Sequence, residues 1–265
     1  MQIVENLSQE QLQAFRGIER NWRDLLKKGI FYAEGEQVFT ALLRSPVVFS
    51  TVLISPGLMA KFRSFMEQRS VQVNVIDKSS MEAITGRRLN QGIVALGKVP
   101  EMHQLEFVLN KERCCIVALN GIDHAVNVGS ILRNCAAFGI AGVCFDSATI
   151  HPYCWRVIKS SIGGVFRLPL YSTSELFMTL KILQNEGFEM IAADPSATMT
   201  IRELKRASKV CLIFGNEHDG ISPSILDLEV KRVSIPMKNV DSINVASASA
   251  IFLHQILSLT SNSHD

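Results

Sequence analysis

Three short apolar segments in the second half of this 265-residue chain each lead into a polar loop and then into a helical pattern. The loops are NGIDHAVN (120–127), GNEHDGIS (215–222) and MKNVDSIN (237–244). Strands that alternate with helices predict an α/β fold. Ligands of open α/β sheets bind beyond the carboxyl ends of the strands, where loops offer backbone N–H groups and helix N-termini. The three loops therefore predict a binding site, although turn chemistry alone also favours Gly, Asn, Asp and Ser there.

A first series of strands and helices precedes these loops, between about residue 28 and residue 100. Its predicted strands lie in VVFSTVLIS, VQVNVID and QGIVALGKV, and segments with helical spacing separate them. The N-terminal segment has helical spacing of its own, with a helix that ends at Gly29. We therefore predict two α/β domains: residues 1–106, in which 1–27 form a helical extension, and residues 107–265.

The composition is that of a globular protein without a membrane segment. Hydrophobic residues make up 47% and charged residues 20% of the chain, and no apolar run reaches the roughly 18 residues that span a bilayer. The N-terminus has no apolar stretch typical of a signal peptide. The six cysteines form no CxxC pair, which predicts reduced core thiols in a cytoplasmic protein. A net charge of +2 neither requires nor excludes a nucleic-acid partner.

Several common cofactor and catalytic motifs are absent from the sequence. There is no GxGxxG after a first strand and no GxxxxGK[ST], which argues against a dinucleotide fold and a phosphate-binding P-loop. The sequence also lacks the GxSxG of serine hydrolases. The histidines have no metal-ligand spacing, so we expect no metal site.

The segment NVGSILRNCAAFG (127–139) predicts a helix with one apolar stripe. Asn127 is a candidate N-cap and Gly139 a candidate stop. Arg133 lies beside the stripe, and spacing leaves open whether it is a solvated flank residue or a functional group.

The polar residues of the second and third loops have equally ordinary alternatives. Glu217, between Gly215 and Gly220, is either a turn acid near a helix N-terminus or an acid that fixes a ligand. Ser242 and Asn244 precede the helical run VASASA, and Asp241 or Ser242 is the expected cap of that helix.

The loops and their flanking segments resemble, in order, the three motifs of a known enzyme family. NVGSILRNCAAFG, LIFGNEHDGIS and IPMKNVDSINVASASAIFL are similar to motifs 1, 2 and 3 of the SpoU (TrmH-like) family of RNA ribose 2′-O-methyltransferases, in the SPOUT superfamily. The resemblance covers about residues 113–259 and includes SSIGGVFRLPL between the first two motifs. It implies an α/β C-terminal SPOUT domain with a trefoil knot, which general folding rules would not predict.

The first half resembles, more loosely, the L30e-like RNA-binding module of this family. EGEQVFTALLRS and GRRLNQGIVALG carry that resemblance. The family further implies S-adenosyl-L-methionine as cofactor, RNA as substrate, and a homodimer whose C-terminal domains pack to complete the sites.

The resemblance also assigns roles to particular residues. Arg133 corresponds to the catalytic arginine and Asn127 to its supporting asparagine. Glu217 is the motif 2 acid, and Ser242 and Asn244 are the motif 3 pair. The cofactor is expected against a set of residues at strand ends and in the loops: Ala193, Gly215, Asn216, Ile235, Met237, Ile243, Asn244 and Val245.

Three departures from the family pattern are visible. His218 and the pair Lys238-Asn239 stand where glycine is common, and Ile243 stands where leucine is more usual. His218 puts the conformation of its loop in question. We expect transfer of a methyl group to a ribose 2′-hydroxyl of RNA, with rRNA favoured over tRNA. An RNA-binding protein that kept the fold without catalysis, and a generic α/β enzyme acting on a small nucleotide, are the alternatives.

Overall fold

The computed structural model describes residues 7–68, 71–205 and 207–261, and these divide into two compact units. The first unit contains the chain up to Glu101 together with Pro152–Arg167, and the second contains Met102–His151 and the chain from Leu168 onward. The sequence placed its domain boundary at 106/107. The sequence did not predict that Pro152–Arg167, which lies between the first two motifs, belongs to the N-terminal unit.

The helices and strands alternate along the chain as the sequence predicts. In chain order they are α1 (Gln9–Phe15), α2 (Ile18–Lys27), β1 (Ile30–Glu34), α3 (Glu36–Leu43), β2 (Phe49–Ile54), α4 (Pro56–Met66), β3 (Gln72–Val75), α5 (Lys78–Thr85), β4 (Ile93–Lys98), α6 (Glu106–Leu109), β5 (Cys114–Asn120), α7 (Ala125–Ala137), β6 (Gly142–Phe145), α8 (Trp155–Ser160), β7 (Leu170–Ser172), α9 (Leu176–Asn185), β8 (Glu189–Ala193), β9 (Lys209–Gly215), α10 (Pro223–Leu226), β10 (Lys231–Val233) and α11 (Val245–Ser261).

The first unit is built on a four-stranded sheet with the order β1-β4-β2-β3. β4 runs antiparallel to β1 and β2, whereas β2 and β3 are parallel. β1 is absent from the sequence prediction, although Ile30, Phe31 and Tyr32 form an aromatic and β-branched run between two glycines. The run is short, and its partner β4 lies some sixty residues away in sequence, so local spacing gives little sign of the pairing.

The predicted helical extension consists of two helices, and residues 1–6 of it lie outside the described part of the chain. Ser8 caps α1, and its hydroxyl accepts the N–H of Gln11 while the Gln11 side chain accepts the N–H of Ser8. Gly17 separates α1 from α2. Ile18 and Leu25 are buried on α2, which packs on β1.

The second unit is a six-stranded parallel sheet with the order β10-β8-β9-β5-β6-β7. β5 and β9 pair over their whole length, from Cys114 opposite Lys209 to Asn120 opposite Gly215. Because the strands are parallel, the loops that follow β5 and β9 leave the same edge of the sheet side by side. β8 and β10 end beside them, at Ala193 and Val233.

Helices cover both faces of this sheet, which explains why its strands are continuous apolar runs. On one face, residues such as Ile116 and Cys211 pack with Leu180 and Leu183 of α9. On the other, α7 packs against α11, and the ring of Phe214 lies 6.0 Å from that of Phe252. The mixed α/β fold is confirmed. The trefoil knot and the L30e-like character of the first unit stay predictions.

All six cysteines are free, and all except Cys114 are buried. Burial raises the pKa of Cys115 and of Cys144 to about 12, with the neighbouring Cys114 adding to the shift at Cys115. These thiols are core side chains, as the sequence predicts. Across the described residues, no helix combines the length and apolar character needed to cross a bilayer.

Candidate active site

A cavity of about 490 Å³ opens at the carboxyl ends of the sheet in the second unit. Its size is within the range of about 300–1,000 Å³ that small-molecule sites occupy. All eight residues predicted for the cofactor site line it: Ala193, Gly215, Asn216, Ile235, Met237, Ile243, Asn244 and Val245. The sequence prediction missed other parts of its wall, including Asp194, Phe214, His218 and Phe252.

A chain of side-chain hydrogen bonds joins the three motifs beside this cavity. The amide Nδ2 of Asn127 donates to Oε1 of Glu217. The amide Nδ2 of Asn244 donates to Oδ1 of Asn127 over 2.9 Å. Asn244 Oδ1 in turn accepts the backbone N–H of Ala246, also at 2.9 Å. Asn127 is only 8% exposed, so its amide is a buried connector between the second and third motifs.

These bonds correct two expectations about helix caps. α7 begins at Ala125 with His124 as its N-cap, so Asn127 lies inside the first turn and its amide is free for tertiary contacts. α11 begins at Val245, and the Asn244 side chain accepts an N–H of its first turn. Neither Asp241 nor Ser242 is the cap. Gly139, with a φ of +64°, follows the end of α7 as predicted.

The second loop is a closed turn fastened to the first. Asn216 and Gly220 exchange two backbone hydrogen bonds of 3.0 Å, and Asn216 Oδ1 accepts the N–H of His218 at 2.8 Å. Asn216 Nδ2 donates to the carbonyl of Gly121 over 2.8 Å. A Cβ on Gly215 would lie 2.3 Å from the carbonyl carbon and oxygen of Gly220, so only glycine fits there.

His218 does not disturb this loop. Among the described residues the non-glycine position with positive φ is Ile162, so residue 218 has a backbone conformation that any residue adopts. The family glycine is therefore not required here, and the His218 side chain is exposed at the cavity wall.

A buried polar network connects the first and second loops, and it was not predicted from the sequence. Asp146 is 8% exposed and accepts the N–H of Gly121 and the amide of Asn120. Asn120 Oδ1 accepts the N–H and the hydroxyl of Ser222 at 2.8 and 2.9 Å. This network ties the start of the first loop to the end of the second. One pattern in the sequence could have indicated this network: Asn120 ends an apolar strand, and Asp146 directly follows another.

Asp194 provides an ionised carboxylate at the cavity wall. Burial opposes its charge, but hydrogen bonds from Ser196 and the charge of Arg232 outweigh that effect and hold the pKa of Asp194 below its usual range.

The five predicted catalytic residues occupy three kinds of position. Glu217, Ser242 and Asn244 line the cavity, and Asn127 lies behind Glu217 and Asn244. Arg133 is exposed on α7 and is not in the cavity wall. Within residues 7–68, 71–205 and 207–261, the side chain of Arg133 has no hydrogen-bond or ion-pair partner.

The sequence profile described as the SpoU rRNA methylase family matches residues 115–254. That match covers Asn127, Asn244, Arg133 and all three loops. The chain belongs to the SpoU rRNA methylase family.

Individual proteins of this family are similar over different lengths. An uncharacterized tRNA/rRNA methyltransferase of Synechocystis sp. is 34% identical over 140 residues, which are 52% of this chain and 51% of that protein. The SpoU methyltransferase AviRb from Streptomyces viridochromogenes, solved with AdoMet, has a TM-score of 0.83 and 19% identity, over 97% of this chain and 100% of that one. A structure described as an RNA 2′-O ribose methyltransferase has a TM-score of 0.78 and 24% identity, over 97% of both chains. These likenesses extend the shared fold to nearly the whole chain.

The donor set of this SpoU site is not that of a metal centre. In the described part of the chain no three His, Cys, Asp or Glu side chains are grouped to hold a metal ion. The polar side chains at the cavity are amides, one hydroxyl, the His218 imidazole and carboxylates that already accept hydrogen bonds, which suits an organic ligand.

We predict that Gly215→Ala destabilises the second unit by at least about 1–3 kcal/mol, because the new methyl group overlaps the Gly220 carbonyl. Urea denaturation measures the loss. The matched control is Gly57→Ala, since a Cβ there meets nothing within 4 Å and the residue lies in α4. The control should be unchanged or up to about 1 kcal/mol more stable. Equal stability of Gly215→Ala and wild type would show that the loop is not closed as described.

We predict that Asn127→Ala lowers the free energy of unfolding by about 1–3 kcal/mol, because it removes a buried bridge to a carboxylate. Amide hydrogen exchange should quicken in residues 216–220 and 244–248, which the bridge connects. Asn110→Ala, which removes an exposed side-chain bond on α6, is the control and should change neither quantity. Unchanged exchange in both segments would contradict a connecting role for Asn127.

Proposed function

We propose that this protein transfers a methyl group from S-adenosyl-L-methionine to a ribose 2′-hydroxyl of RNA. The observation that carries the proposal is the convergence of the three SpoU motifs on one cavity, joined by the bonds of Asn127. The family description and the likeness to an RNA 2′-O ribose methyltransferase support the same reaction.

The cavity fits the proposed cofactor. Ile235, Met237 and Ile243 give apolar surface for the adenine ring and the methionine chain, and the loops between strands and helices offer backbone groups at the rim. The likeness to AviRb, which was solved with AdoMet, supports this assignment. The cofactor supplies a methyl group on a positively charged sulfur, which an oxygen nucleophile can attack.

The protein must then place and activate a weak nucleophile. A ribose hydroxyl has to lose its proton as it attacks, and an arginine that holds the adjacent phosphate can assist that step. We assign this role to Arg133, whose planar guanidinium suits a phosphate. Ser242 and Asn244 position the ribose at the cavity mouth, and Glu217 holds the loop through Asn127. The rest of the rate enhancement comes from the in-line placement of the ribose oxygen, the methyl group and the sulfur.

The position of Arg133 supports a homodimer through the C-terminal unit. Arg133 is exposed and does not line the cavity of its own chain, and it shares a face of α7 with the exposed Val126. The adjacent α11 exposes Ile251, with 42% of its surface accessible. Two chains that pack through α7 and α11 would cover these apolar residues and bring Arg133 of one chain to the cavity of the other.

The substrate RNA and the compartment follow from less specific observations. The family description favours rRNA over tRNA, whereas the relative from Synechocystis sp. is described with both. Mass-spectrometric mapping of 2′-O-methyl groups in RNA from cells without the gene identifies the nucleotide.

The free, buried thiols support a cytoplasmic location.

The alternative of an inactive RNA-binding protein rested mainly on His218, which stands where glycine is common in the family. The ordinary backbone at residue 218 removes that motive, because the loop closes without a glycine there. Calorimetry with S-adenosyl-L-methionine still separates the two, since the alternative predicts no cofactor binding.

We predict that Arg133→Ala lowers kcat for methyl transfer to bulk RNA by about 10²–10⁴-fold, the usual value of an activating group. The Kd for S-adenosyl-L-methionine should stay within twofold of wild type, because Arg133 is outside the cavity wall. Arg202→Ala, at another exposed arginine of the same unit, is the control and should keep full activity. An active Arg133→Ala protein would refute the assigned role.

We predict that two inactive variants restore activity when their chains are mixed. Arg133→Ala removes the arginine, and Ala193→Phe fills the cavity. In a mixed dimer with shared sites, one site combines an intact cavity with an intact Arg133. Random reassociation should return about one quarter of the wild-type activity, measured with labelled cofactor. A mixture without activity would mean that Arg133 serves the cavity of its own chain.

A further inference from the structure

An exposed group of basic side chains lies on the first unit. Arg20, Arg23 and Lys27 are exposed at helical spacing on one face of α2. Arg156, at the start of α8, is exposed although its neighbours in sequence are buried. We call Arg20, Arg23, Lys27 and Arg156 the basic ridge.

α2 and α8 are neighbours in the fold although 127 residues of sequence, 28–154, separate them. Both pack on β1. Arg87 connects them, because its Nε lies 3.9 Å from a carboxylate oxygen of Glu19 on α2 and its guanidinium carbon lies 4.4 Å from the centre of the Trp155 ring on α8. Burial raises the pKa of Cys154, and the charges of Arg156 and Arg23 both act against that rise. The two arginines are therefore within electrostatic reach of one thiol.

The ridge arginines have positive charge that nearby carboxylates do not neutralise. Glu19 interacts with Arg87, and Asp24 lies 3.8 Å from Lys27. Over residues 7–68, 71–205 and 207–261, Arg20, Arg23 and Arg156 have no carboxylate within 4 Å. A basic helix face can be merely solvated, but here unpaired cations converge from two distant segments.

Two of these arginines are also held in place by aromatic rings. The guanidinium carbon of Arg23 lies 4.4 Å from the centre of the Trp22 ring, and that of Arg156 lies 5.2 Å from the centre of the Trp155 ring. Stacking on an indole restricts a long side chain before any ligand arrives, which lowers the entropy cost of binding. A planar, fixed guanidinium is suited to a phosphate group.

We propose that the basic ridge binds the phosphate backbone of the RNA substrate. This inference rests on the proposed function, which makes RNA the partner, and adds the surface that holds it. Phosphate contacts fix the position of a nucleic acid without reading its sequence. The ridge therefore contributes affinity, and the choice of nucleotide belongs to other parts of the protein.

The test compares two triple variants of the full chain with equal loss of charge. The ridge variant is Arg20→Gln/Arg23→Gln/Arg156→Gln. The control is Arg44→Gln/Arg63→Gln/Lys98→Gln, which removes exposed cations from the C-cap of α3, from α4 and from β4 of the same unit. Affinity for a labelled 20-nucleotide oligouridylate is measured at several salt concentrations, and circular dichroism confirms that both variants are folded.

The ridge variant should bind this RNA at least about tenfold more weakly than wild type, and the control should bind within twofold. The slope of log affinity against log salt should fall by about 2, because each phosphate contact on a single strand contributes about 0.7. With bulk RNA as methyl acceptor, KM should rise while kcat and the Kd of the cofactor stay unchanged. An unaltered salt slope, or equal losses in both variants, overturns the proposal.

Two further readouts separate this proposal from its rivals. If the ridge variant loses binding to a labelled oligoglutamate peptide but keeps its affinity for RNA, the ridge serves an acidic protein and the proposal is wrong. If wild type methylates no RNA but the ridge variant still shows the loss of affinity and slope, the ridge stands and the proposed reaction fails.

Discussion

The buried amide of Asn127 is the interaction on which the geometry of the candidate site depends. It accepts from Asn244 and donates to Glu217, so one side chain sets the position of the second and third loops relative to α7. An amide can do this because it has both a donor and an acceptor, whereas a carboxylate of the same size has only acceptors. The loops themselves contain few apolar residues that could hold them together by packing.

The pairing of strands in the sheet brings the partners of the Asn127 amide close together. β5 and β9 pair in register to their last residues, Asn120 and Gly215, so the loops that follow start side by side. Asp146, from the end of β6, then fixes the first of them through Gly121 and Asn120. Regular pairing thus brings the chain ends within hydrogen-bond reach, and polar side chains determine the final arrangement.

The sequence predicted the alternation of helices and strands and part of the cavity wall, but it missed several parts of the structure. This part of the wall could be predicted because loops that follow parallel strands meet at one edge of the sheet. The resemblance to known motifs then identified which loops form the site. β1 was missed because its partner β4 is distant in the chain. The tertiary role of Asn127 was hidden because an asparagine before an apolar helix is also a typical N-cap. The membership of Pro152–Arg167 in the first unit depends on packing that no local pattern records.

The positions of Asn127 and Arg133 on one helix explain why a cavity alone would be an incomplete enzyme. Six residues along an α-helix turn the side chain by about 240°, so Asn127 can face the loops only if Arg133 faces elsewhere. Under the proposed function, cofactor binding then needs one chain, whereas proton removal from the ribose needs a second. Such an arrangement makes methyl transfer conditional on assembly. A dimer through α7 and α11 would also cover the exposed side chains of Val126 and Ile251.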